Sequence, residues 1–127
     1  MADTSQHNEL GNIDIAAEVV GVIAGLAATE VEGVAGMSGG IAGGIADLLG
    51  RKNLAKGVRV EVSDESAGVN LFVVVDYGVR IPEVAWQIQE NVKRAIETMT
   101  GLTVRHVNVH VQGVHFPQEE RVEEYRR

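Results

Sequence analysis

One stretch constrains the fold more than any other. From Val69 to Val75 only Asn70 interrupts a run of valine, leucine and phenylalanine. A strand apolar on both faces belongs in the middle of a sheet, with neighbours on each side. Just upstream, Val58, Val60 and Val62 alternate with Arg59 and Glu61, the pattern of a strand with one polar face. Asp64-Glu65-Ser66-Ala67-Gly68 supplies a turn, so the two strands read as a hairpin. In the second strand Val69, Leu71, Val73, Val75 and Tyr77 share one face, and Asn70, Phe72, Val74 and Asp76 share the other.

The flanking segments complete the order. Ile81, Val84, Ala85, Ile88, Val92, Ala95, Ile96 and Met99 recur at helical spacing. Pro82 suits the first helical position, Glu83 suits the positive end, and Gly101 stops the helix. Thr103–Gln112 then alternates: Val107, Val109 and Val111 face one way, and His106, Asn108, His110 and Gln112 the other. Upstream of the hairpin a first helix is expected over 16–31, with Asp14 as its N-cap and no charge from Val19 to Thr29. A helix apolar nearly all round is covered on more than one side. Gly21 and Gly25 give it a small-residue stripe, suited to dense packing or to a self-association seam.

The order helix, hairpin, helix, strand predicts an α/β domain of the α+β type. It is a two-layer sandwich: a small mixed sheet with two long helices on one face. The last strand runs parallel to the strand before the second helix, because a helical crossover reverses the chain twice. Both helices cover the valine face and leave the opposite face open. At 127 residues the chain is expected to form one domain, over 11–116. Residues 1–10 read as a disordered tail and 117–127 as a charged, solvated one. The start lacks a basic region and an apolar core, and the longest charge-free run, 33–46, is rich in glycine. Neither resembles a signal peptide or a membrane span, so the expectation is a cytoplasmic protein whose membrane contact is peripheral or indirect.

The absence of cysteine excludes disulfides, thiolate metal sites and cysteine nucleophiles. Eighteen acids against 11 bases give a net charge of −7, which opposes DNA binding. Gly36-Met37-Ser38-Gly39-Gly40 matches the serine-hydrolase elbow, but the elbow needs a strand before its serine. With the first helix ending near Val31, no room for that strand is expected. Gly39–Gly44 lacks the lysine and hydroxyl of a phosphate loop. His106 and His110 share a face but stand about 13 Å apart along a strand, too far to hold one zinc ion. No catalytic, cofactor or metal site is expected. Gly40-Ile41-Ala42-Gly43 has the form of an RNA-clamping G-x-x-G loop, and Phe72, His106 and His110 could stack bases. An RNA-binding module is therefore the alternative reading.

Several segments resemble one family. Gly11-Asn12-Ile13-Asp14-Ile15-Ala16 and Val31-Glu32-Gly33-Val34-Ala35-Gly36-Met37 are similar to the start of bacterial alkaline-shock proteins, also called general-stress or envelope-stress-response proteins. Gly57–Val62, Val74–Gly78, Ile81–Ala85 and above all Val107-Asn108-Val109-His110-Val111-Gln112-Gly113-Val114 follow in the same order. The resemblance spans about 11–116. Ala17 stands where the family commonly has proline. The resemblance implies a small cytoplasmic protein of mainly Gram-positive bacteria, tied to stress or envelope homeostasis. It implies no known catalysis, and in some members retention at the membrane by an integral partner protein.

The expected function is therefore non-enzymatic and works through protein–protein contact, self-association included. Two surfaces are candidates. One is the open sheet face, with Phe72 and Val74 among Asn70, Asp76, His106, Asn108, His110 and Gln112. The other is the glycine-rich segment, where Ile41, Ile45, Leu48 and Leu49 make an apolar side next to Arg51 and Lys52.

Overall fold

The structure, a computed structural model, describes residues 3–39 and 56–116. The candidates Ile41, Ile45, Leu48 and Leu49 and the tail 117–127 lie outside the described residues. Strand β1 (Asp3–Asn8) and strand β2 (Gly11–Ala16) precede helix α1 (Ala17–Thr29). Strands β3 (Val34–Met37), β4 (Val58–Ser63) and β5 (Ser66–Asp76) follow, then helix α2 (Ile81–Thr100) and strand β6 (Thr103–His115).

β5 is the central strand, as its composition requires. β4 pairs with it antiparallel from Val58↔Leu71 to Ser63↔Ser66. β6 pairs with it parallel from Ser66↔Thr103 to Asp76↔His115, with irregularities at 67/68 and 73/74. The mixed sheet and the parallel crossover through α2 are both present. β3 was not anticipated. It pairs antiparallel with β5 around Val73–Val75, on the edge that β4 also uses. β3 and β4 meet end to end at Phe72, whose N–H donates to the Gly57 carbonyl at 2.8 Å and whose carbonyl accepts from Ser38 N–H at 2.7 Å. Glycine content disguised this strand, because Gly36 weakens the alternation that identifies one. A strand therefore does precede Ser38, contrary to the expectation.

Both helices lie on the valine face. Val69, Leu71, Val73 and Val75 pack with Val20, Ile23, Ala24 and Ala27 of α1 and Val84, Ile88, Val92 and Ile96 of α2 in one buried cluster. Burying a side chain of this size stabilises by about 1.5–3 kcal/mol. Gly21 and Gly25 are buried, so the small stripe of α1 serves internal packing. The Asn91 side-chain amide on α2 donates to the Ala27 carbonyl at 2.8 Å and ties the helices together.

The N-terminus departs from the expectation. Asp14 lies within β2 and does not cap α1; the N-cap is Ala16. The supposed tail contains β1, paired with β2 from Asp3↔Ala16 to Asn8↔Gly11 as a separate two-stranded sheet. The turn explains it. The Asn8 carboxamide oxygen accepts from the N–H groups of Leu10 at 2.8 Å and Gly11 at 3.1 Å, a side-chain-closed turn. The polar sequence of β1 reads like a tail because apolar alternation is not what forms it.

Candidate functional site

Strand alternation turns Asn70, Phe72, Val74 and Asp76 away from the helices. The β5–β6 register then sets Asn108 opposite Asn70, His110 opposite Phe72, Gly113 opposite Val74 and His115 opposite Asp76. On the other side Arg59 of β4 lies opposite Asn70.

Phe72 is the centre of this face. The His110 ring stacks on it with centroids 4.6 Å apart and planes at 14°. From the β4 side the Arg59 guanidinium carbon stands 5.4 Å from the ring centroid, at cation–π distance. The Asn70 carboxamide oxygen accepts from His110 Nε2 and from Asn108 Nδ2, each at 3.2 Å, which fixes the tilt of the histidine ring. A shallow cavity of about 260 Å³ opens beside Phe72, lined by Gly57, Val58, Arg59 and Gln112. The Ser38 hydroxyl donates to the Gln112 carboxamide oxygen at 3.2 Å, so its partner is an amide and not a histidine base.

Val74 continues the face between two glycines, Gly36 and Gly113, which leave its side chain half-exposed. Beyond it His115 Nδ1 and Asp76 Oδ1 are 3.5 Å apart, and the Tyr77 and Phe116 rings pack at 5.0 Å. His106 does not join Phe72. Its ring lies over Gly68 and fills the space a Cβ would need there, four register positions from His110.

Of the expected residues, then, Phe72, Val74 and His110 form one patch and His106 sits at its far end. Arg59 and Gln112 belong to the patch as well. The hairpin pattern puts Arg59 on the polar face but does not reveal that its register reaches Phe72. A second depression, about 610 Å³, lies between the segment that follows α1 and helix α2 and is lined by Glu30, Glu32, Trp86, Glu90 and Arg94. Trp86 is 59% exposed. The signal for it is the chain's single tryptophan standing off the apolar stripe of α2.

Among the described residues no helix is long and apolar enough to cross a membrane, and no cluster of three or more metal-ligating side chains occurs. The geometry defines a small two-layer domain with both helices on one sheet face and the polar side chains of β6 exposed on the other. The sequence agrees with that class: the profile of the alkaline-shock protein 23 family, described as having a cell envelope-related function, matches residues 5–116. The chain belongs to this family. It is 40% identical to the uncharacterized protein YqhY of Bacillus subtilis over 122 residues, covering 94% of this chain and 90% of that one. It is 38% identical to YloU of the same organism over 106 residues, covering 82% and 88%. It is also 34% identical over 95 residues to a stress response regulator gls24 homolog of Streptococcus pyogenes, covering 74% of this chain and 53% of that one. The resemblance read from the sequence is thus to the right family, one with cell-envelope and stress-response descriptions.

Proposed function

We propose that this protein is a non-catalytic component of the envelope stress response that acts by holding another protein on its open sheet face. The observation that supports this reading most is Phe72: a partly buried aromatic ring, pre-set between His110 and Arg59 and rimmed by Asn70, Asn108 and Gln112. An apolar centre with a polar rim, held rigid before binding, is the pattern of a protein-interaction patch. The partner that retains it at the membrane, in a cytoplasmic location, is an integral membrane protein. Ile41, Ile45, Leu48 and Leu49, which lie outside the described residues, are proposed from the sequence as a second contact for the same partner.

RNA is the rival ligand for this face. The ring of Phe72 already has His110 stacked on it and Arg59 beside it, which disfavours a base stacking there.

The test is crosslinking in cells with wild type, Phe72→Ser and Ile45→Ser, each checked for intact folding by circular dichroism. The expected result is that both variants fold and Phe72→Ser loses the crosslinked protein. Full retention of every partner by both variants refutes the proposal. Tight binding of single-stranded RNA that falls steeply with salt would favour the rival.

A further inference from the structure

β6 pairs with β5 along one edge, and among the described residues no strand lies on its other edge. The hydrogen bonds say which groups face outward. Phe72 spends its backbone bonds on the β3–β4 side, so Leu71 and Val73 turn theirs towards β6. In a parallel ladder Leu71, opposite Val109, bonds to the residues on either side of it, Asn108 and His110. The backbone groups of Val107, Val109 and Val111 therefore point out of the sheet.

α2 closes only the first part of this edge. The Glu97 carboxylate accepts the Val104 N–H at 3.0 Å, and Gln89 Nε2 donates to the Val107 carbonyl at 2.9 Å. From the Val107 N–H to Val111 no described side chain does the same.

An open edge is a template for another strand, and monomeric proteins blunt it with charge or proline. Residues 106–114 contain neither. β4, on the opposite side of the sheet, carries Arg59 and Glu61. The β6 edge is also complementary to itself. Laid antiparallel about Val109, it sets Val109 against the partner's Val109, Val107 against the partner's Val111, and Asn108 against the partner's His110. Every valine then lies on the helix side and every polar side chain on the open side. A slip of one residue would put valine against histidine. The regular ladder from His106 to Val111, between the two irregularities, spans this register. The absence of charge matters here, since two copies at −7 repel elsewhere on their surfaces.

We propose that the β6 edge is a homodimer seam: a second copy of this chain adds its own β6 antiparallel, with the two-fold axis at Val109, and one sheet runs through both copies. The contact is isologous and closes on itself. It covers the half-buried Val109 and Val111, and it engages the backbone edge of β6 rather than the Phe72 ring.

Two measurements test it. The chain has no cysteine, so oxidation reports only an introduced one. Val109→Cys is expected to give a disulfide-linked dimer. Val111→Cys is not, because its counterpart lies about 13 Å away in this register. In sedimentation velocity the wild type and Phe72→Ser are expected to be dimers. Asn108→Lys/His110→Lys, which sets like charges across the seam, is expected to be a folded monomer by circular dichroism, and Asn108→Lys/His110→Asp is expected to dimerise again. The proposal is overturned by a wild type that stays monomeric at its highest soluble concentration. It is overturned equally by crosslinking of Val111→Cys as readily as Val109→Cys, by open-ended polymers, or by a dimeric double-lysine variant.

Discussion

Replacing Gly57 by alanine probes the seam where β3 and β4 meet beneath Phe72. Gly57 has φ +78°, in the left-handed region. A side chain there costs about 1–2 kcal/mol in backbone conformation alone. A Cβ at this position would also stand 2.8 Å from the Ser38 carbonyl oxygen and 3.0 Å from that of Phe72. Both are backbone atoms, and the Phe72 carbonyl is already held by the Ser38 N–H, so neither can step aside cheaply. Overpacking of this kind costs a further ~1–3 kcal/mol. The expected loss is about 2–5 kcal/mol, a large share of the ~5–15 kcal/mol that holds a domain together. Gly78 is the control. It has φ +98° but nothing within 4 Å of an added Cβ, so Gly78→Ala carries the backbone cost alone, about 1–2 kcal/mol. Urea unfolding of the three proteins, extrapolated linearly to water, measures both losses. Equal losses at 57 and 78 would refute the reasoning, because they would mean that β3 and the start of β4 do not close on Phe72 as described.

Three further outcomes follow from the same geometry. Hydrogen bonds from Val104 N–H and Lys93 hold the Glu97 carboxyl below its usual range. Its contribution is therefore full above the unfolded value, near pH 4.5, and fades as pH falls through the lower folded value. The stability difference between wild type and Glu97→Gln should accordingly be largest near neutrality and shrink in acid, as read by urea melts across pH. Asn91→Ala should lower stability by about 1 kcal/mol in the same assay, by releasing the Ala27 carbonyl from the interhelix bond. Deleting residues 1–10 removes one strand of an isolated two-stranded sheet and should cost less than ~1 kcal/mol, since such hairpins are marginal; a loss of several would place the hairpin within the core.

Much of this architecture is legible in the sequence because burial imposes periodicity. The apolar stripe of α2 and the alternation of Val69, Leu71, Val73 and Val75 can be satisfied only by covering one sheet face, and that decides which residues stay open. Phe72 and His110 follow from parity alone. What parity cannot give is register. That His110 falls opposite Phe72 and His106 opposite Gly68 depends on the register set by the irregularity at 67/68 of the β5–β6 ladder, which leaves no local trace. β3 is hidden for a related reason: four residues, one of them glycine, make a strand only because β5 has an edge to fill. β1 is held by an asparagine turn and backbone pairing, so hydrophobic pattern says nothing of it.

The central claim is that the open sheet face, and Phe72 above all, is where a partner protein sits. Incorporating a photoreactive phenylalanine analogue at position 72, and in parallel at Gln87 on the exposed side of α2, tests it within living cells. The account predicts that irradiation links position 72 to one discrete partner protein and that position 87 gives none of that product. A product from position 87 alone, with position 72 silent in a folded protein, would contradict it.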